Sequence, residues 1–238
     1  MKNRVLYFVG LFFVTLVFTS CSSVYIPNNT LPKDFNGRNE VYGSVFVGGT
    51  GVNLNFAYSP INHVYIHGAL WKQAKTSLFK DNISDSYQYG IGFFARNSSI
   101  YFETEIGINN GVFDVSKNIH FQQSSYKGVY ENMFGSMLIS TPVSEKVSVG
   151  LNVKAGLNTF NFSKFQNLNN DFVDIKYKDE FQLEAGMFFK YKVNDMISIF
   201  NYNGFYSSGL YTSSSPLQVR LGLCLNFNRS EIKEEDEK

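Results

Sequence analysis

From residue 41 to residue 227 the chain is a succession of segments in which apolar side chains alternate with polar residues or glycine. Each segment is roughly ten residues long, about what a tilted strand needs to cross a bilayer. Strict period two puts every apolar residue of a strand on one face and every polar residue on the other. The connections alternate between short and long, which is how a sheet that zigzags between two ends is strung together. Taken together, this predicts an all-β chain: an antiparallel up-and-down transmembrane β-barrel of ten strands, with eight as the alternative count.

The last segment is the sharpest. Leu217, Val219, Leu221, Leu223, Leu225 and Phe227 form one unbroken apolar face, opposite Gln218, Arg220, Gly222, Cys224 and Asn226. In the N-terminal half the clearest is the hairpin around Gly48, Gly49, Thr50 and Gly51, where tight turning favours glycine. Its return strand sets Val52, Leu54, Phe56 and Tyr58 against Asn53, Asn55 and Ala57. Tyr87, Tyr89, Ile91 and Phe93 likewise oppose Gln88, Gly90 and Gly92, and Val147, Val149, Leu151 and Val153 oppose Ser148, Gly150, Asn152 and Lys154. Residues 129–139 and 197–206 are expected as strands without a clear choice of face. Short connections are expected near Pro60, Asn97, Pro142 and Asn194, and long loops over 72–86, 109–127, 159–177 and 207–216. Aromatic residues make up 17% of the chain and charged residues another 17%, a balance suited to a lipid-facing band with aromatic girdles. No later apolar run is long enough for a helical span.

The N-terminus has the form of an export signal: Lys2 and Arg4, then an apolar stretch over 5–18, then Thr19, Ser20 and Cys21. Residues 1–20 are therefore set aside as a signal peptide. Phe18, Thr19, Ser20 and Cys21 resemble a bacterial lipobox, which implies that Cys21 carries a lipid; an ordinary signal peptide with an incidental Cys21 is the alternative. Residues 21–39, with Pro27, Pro32 and Gly37, read as a lipid-anchored linker, residues 40–227 as the barrel, and 228–238 as a solvated acidic tail. The net charge of +1 falls to −1 once Lys2 and Arg4 are removed, and no basic stripe points to nucleic acid.

The final strand also resembles the C-terminal assembly signal of outer-membrane barrel proteins, carried here by Arg220, Gly222, Leu225 and Phe227, with a tail continuing to Lys238. With the lipobox, the chain resembles the small outer-membrane β-barrels in a lipidated version. That resemblance implies a place in the bacterial outer membrane with a periplasmic N-terminus, outer-membrane lipid and the barrel-assembly machinery as partners, and a structural or interaction role in the envelope. It does not specify an extracellular or periplasmic ligand.

Glu103, Glu105, Glu180 and Glu184 fall on the polar face with Lys154 and Arg220, joined by Arg96 and Lys190. Acids and bases so placed are expected to satisfy one another as a lumen network rather than to catalyse. No cofactor, metal or catalytic constellation is expected. His63 and His67, read as sharing one strand face, would stand about 13 Å apart along it, too far for a common metal, and His120 has no recognisable nucleophile partner. Aromatic, asparagine-rich loops offer surface for adhesion. The competing architecture is a lipid-tethered soluble periplasmic β-barrel with its apolar faces inward around a small or apolar ligand. A narrow solute channel and an outer-membrane enzyme are more remote.

Overall fold

The computed structural model describes residues 32–48, 51–73, 83–119, 122–166, 177–208 and 217–227. Ten antiparallel strands run in chain order: β1 (Glu40–Gly48), β2 (Gly51–Ile61), β3 (Val64–Gln73), β4 (Ile83–Arg96), β5 (Tyr101–Ile119), β6 (Gln122–Ser144), β7 (Val147–Gln166), β8 (Tyr177–Lys192), β9 (Ile197–Ser208) and β10 (Leu217–Phe227). Each pairs with its sequence neighbours, and β1 pairs with β10, so the sheet closes and leaves no edge. The signal peptide, Cys21, the acidic tail and His120 lie outside the described residues.

The apolar faces point outward. Leu54, Ile66, Ile91, Ile106, Met133, Leu151, Met187, Leu221 and Leu223 are all exposed on the outer wall. An apolar surface of that extent is tolerated only against hydrocarbon. The inward faces carry Asn53, His67, Gln88, Glu103, Glu105, Asn132, Asn152, Lys154, Gln182 and Glu184, all buried. The arrangement on which a tethered soluble barrel would depend is therefore reversed. Phe93, Phe189, Tyr191 and Phe227 ring the outer wall toward one end, and Tyr87, Phe181 and Phe205 ring it higher up. Two aromatic girdles of this kind bracket the apolar band of a membrane barrel.

We call the end holding the turns after β2, β4, β6 and β8 the near end. Two of those turns are fixed by an asparagine side chain that mimics the backbone. Asn97 Oδ1 accepts from Ser99 N (2.8 Å) and Ile100 N (2.7 Å), and Asn194 Oδ1 accepts from Met196 N (2.9 Å) and Ile197 N (2.7 Å). His63 sits in the β2–β3 turn with a left-handed φ of 69°. It does not share the strand face of His67, as the sequence suggested, because the strand begins only at Val64.

At the far end the expected loop over 109–127 is largely strand. β5 runs to Ile119 and β6 starts at Gln122, paired rung by rung from Tyr101↔Ser140 to Ile119↔Gln122. β7 likewise continues to Gln166. Polar composition reads as loop, but beyond the membrane a ladder needs only backbone partners, not an apolar face. The wall therefore rises unevenly: β5, β6 and β7 have 19, 23 and 20 residues, against 9, 11 and 10 for β1, β2 and β3.

Inside, aromatic rings lie over glycines on adjacent strands. A methyl built on Gly92 would stand 2.2 Å from Tyr65 Cζ, one on Gly150 2.3 Å from Phe188 Cζ, and one on Gly222 2.5 Å from Phe46 Cδ1. The glycines are thus the floor on which the lumen's rings are laid. Gly92→Ala is expected to destabilise the barrel by about 1–3 kcal/mol through overpacking, lowering the temperature at which its heat-modifiable gel shift is lost. Gly43→Ala, whose methyl would meet no atom within 4 Å, is the control and should leave that temperature unchanged.

Candidate functional site: the lumen and its N-terminal strap

Residues 32–36 precede β1, and they lie inside the near end of the barrel rather than trailing from it as a tether. Lys33 and Phe35 are almost wholly buried. Five residues carry no periodicity from which such a position could be read. This strap meets two walls. Toward β3 and β5, Lys33 Nζ donates to Glu105 Oε2 (2.9 Å) and to the Tyr65 hydroxyl (3.2 Å), lies 4.3 Å from the centre of the Tyr65 ring, and its backbone N–H reaches Glu103 Oε1 (3.1 Å). Toward β4 and β8, the Asp34 carboxylate pairs with Lys190 through Oδ2 and with Arg96 through Oδ1, the latter at 3.5 Å. Phe35 packs on Tyr65 and Phe94 with ring centres 5.6 and 5.3 Å away. Asp34 adopts a left-handed φ of 52°, a conformation aspartate tolerates better than most residues, held by ion pairs to both its oxygens.

These charges hold the strap over a wide pH range. Burial alone would lower the Lys33 pKa, but Glu103 and Glu105 outweigh it and the net shift is upward from 10.5. Burial alone would raise that of Asp34, but Lys190 and Arg96 outweigh it and the net shift is downward from 3.8. The Asp34 contribution is thus present above its ordinary pKa and lost only as pH falls through the depressed one. That of Lys33 is complete below its ordinary pKa and lost as pH rises through the raised one.

Above the strap the network continues. Glu105 Oε1 accepts from His67 Nδ1 (2.9 Å) and from Gln88 Nε2 (3.4 Å), and Gln88 Oε1 accepts from Lys154 Nζ (2.9 Å), whose ammonium sits 3.5 Å from the centre of the Phe134 ring. Across the lumen, Tyr202 donates to Glu184 Oε1 (2.8 Å), and the Arg220 guanidinium stands 3.7 Å from the same oxygen. Farther up, Asn132 Nδ2 donates to Asn158 Oδ1 and to Gln182 Oε1, the latter at 3.2 Å. Glu180 faces inward beside Asn158, its rung partner on β7. Leu138, on the same rung as Glu103 and Asn152, and the Phe46–Phe200 pair, with ring centres 4.2 Å apart, are buried among these polar groups.

Of the residues read as a lumen network, all but Arg96 are inward and buried, but they do not form one cluster. Glu103 and Glu105 belong to the strap's wall, and Lys154 is linked to it through Gln88. Glu184 and Arg220 form a second group. Arg96 stands at the near-end rim, half in solvent. Lys33, Asp34 and His67 are members the sequence reading missed: their partners lie tens of residues away, so no local spacing marks them. In β10, Arg220 and Gly222 face inward, Leu225 and Phe227 outward. Cys224 is buried with its sulfur 3.3 Å from the Tyr42 hydroxyl. Among the described residues, no three His, Cys, Asp or Glu side chains are grouped to hold a metal.

No protein-family model matches the chain, and no curated protein matches it. Among solved structures it is similar to the KdgM porin in complex with disordered oligogalacturonate, with 8% identity and a TM-score of 0.41, over 79% of this chain and 99% of the other. It is also similar to the translocator domain of the autotransporter NalP from Neisseria meningitidis (10% identity, TM-score 0.38, over 82% and 91%) and to outer membrane phospholipase A from Escherichia coli (12%, 0.21, over 81% and 93%). By its closed ten-stranded sheet, apolar outer band and polar filled interior, the chain is a small membrane-spanning β-barrel of the outer-membrane type.

Proposed function

We propose that this barrel has a structural or interaction role in the bacterial outer membrane and is not an open pore or an enzyme. The observation that carries this reading is the filled lumen. Tyr65, Glu103, Glu105, Leu138, Lys154 and Phe46 are each at most 1% exposed, and residues 32–36 occupy the near end. A ten-stranded wall is only slightly wider than the eight-stranded kind whose interior side chains fill it. His67 is buried and its Nδ1–H is committed to Glu105. In the same reading the short near-end turns face the periplasm, Cys21 is acylated on that side, and the outward Leu225 and Phe227 with Arg220 and Gly222 are presented to the assembly machinery. The raised wall of β5–β7 then stands on the outer surface as the part offered to other molecules.

Reconstitution into planar bilayers tests this. The purified protein, verified as folded by its heat-dependent gel shift, is expected to add no stepwise conductance. Stable ohmic channel steps from the folded species would show the lumen to be open and end the reading.

A further inference from the structure

We infer that the near-end lumen is a peptide-binding cradle, occupied in cis by Lys33, Asp34 and Phe35, and able to take an extended segment of another polypeptide that presents an ammonium, a carboxylate and an aromatic ring at consecutive positions.

The wall reads the strap as a polypeptide. Three backbone N–H groups are each bound by a wall or strand side chain: Lys33 N by Glu103 Oε1 (3.1 Å), Phe35 N by the Tyr101 hydroxyl (3.2 Å) and Asn36 N by Glu40 Oε2 (2.7 Å). Main-chain bonds give affinity in peptide recognition, and pockets for the side chains give sequence preference. Here each of three consecutive side chains has its own receptor. The ammonium has the Glu105 carboxylate and the face of Tyr65, the carboxylate has Lys190 and Arg96, and the ring has the slot between Tyr65 and Phe94. Acidic and basic receptors stand on different strands, so a segment with the charges reversed would meet like charge on both sides.

The cradle is also reachable. Beside the strap the near end opens into a vestibule of about 860 Å³, lined by Arg96, Glu145, Lys146, Lys190, Lys192 and Asp195 among others. A segment leaving or entering need not cross the packed middle of the barrel. The resident holds its place by proximity: Asn36 is four residues from the start of β1, and so short a tether gives an effective concentration in the millimolar range. A free peptide at micromolar concentration therefore cannot displace it. This inference goes beyond the role proposed above and does not depend on whether the lumen conducts.

The test uses the full chain folded in detergent and a fluorescently labelled peptide of sequence Pro-Lys-Asp-Phe-Asn, with binding read by anisotropy. Wild-type protein is expected to show no saturable binding at micromolar peptide. The double variant Lys33→Met, Asp34→Asn, whose own strap has lost its charges, is expected to bind at least about tenfold more tightly than wild type. The gain should vanish when lysine and aspartate of the peptide are replaced by methionine and asparagine. Should the double variant fail to show the folded gel shift, Asp34→Asn alone replaces it, since it removes the resident's pairs with Lys190 and Arg96 while leaving Lys33 on Glu105 and Phe35 in its slot. No binding to a folded variant, or binding indifferent to the peptide's charges, would overturn the inference.

Discussion

Replacing Glu105 with leucine is expected to cost the barrel about 3–5 kcal/mol, the penalty for breaking a buried ion pair by removing one partner. Its carboxylate is the acceptor on which Lys33, Tyr65, His67 and Gln88 converge. Without it, the Lys33 ammonium stays buried with no carboxylate in direct contact, since Glu103 binds the Lys33 backbone N–H and the Tyr101 hydroxyl, and the donors of Tyr65 and His67 lose their acceptor. The measurement is a urea titration of folding into lipid vesicles, following the gel shift. Adding Lys33→Met to the leucine variant should recover a good part of the loss, because an apolar pair of similar volume is often as stable as the ion pair it replaces. If the single variant costs less than about 1 kcal/mol, the network is not desolvated as described and the lumen is wet.

The second large effect is on the outer wall. Leu223→Arg, at mid-height on β10 between Val45 and Ile199, should destabilise the inserted barrel by about 2–4 kcal/mol, the cost of an arginine near the bilayer midplane. The same exchange at Asn194, in a near-end turn, should cost far less once loss of its turn-capping bonds is allowed for with an Asn194→Ala control. Equal effects at both places would contradict an apolar band centred on Leu223.

The outer face of the barrel was legible because lipid imposes period two. Where the inward residues are polar or glycine, as in β2, β4, β7 and β10, alternation alone separates the two faces cleanly, and the closed sheet shows the apolar one to be outside. Alternation fails in β6 and β9 for one reason. Phe134 and Leu138, and Phe200 and Tyr202, point inward, so large apolar side chains stand on both faces of those strands, while Asn201 and Asn203 interrupt the outer face of β9. Tyr202 lies against Gly186 and Phe134 against Gly107, so the signal for inward aromatics lay on the neighbouring strand, not on their own. The polar network was legible as a set of inward charges, but its pairing was not. Lys33 finds Glu105 across 72 positions and Lys190 finds Asp34 across 156. The strap itself has neither alternation nor a motif, and its place follows from partners on β3, β4, β5 and β8 that only the closed wall brings together.

The strap also bears on how the barrel resists being pulled apart. Among the described residues β1 and β10 share eight ladder rungs, from Val41↔Phe227 to Gly48↔Arg220, whereas β5 and β6 share nineteen. Under lateral load this short seam is the first line along which the cylinder would unzip. The strap is continuous with β1 and is fastened to β3, β4, β5 and β8. It works as a guy-line, so that peeling β1 from β10 must also tear an ion-paired tripeptide out of the opposite wall.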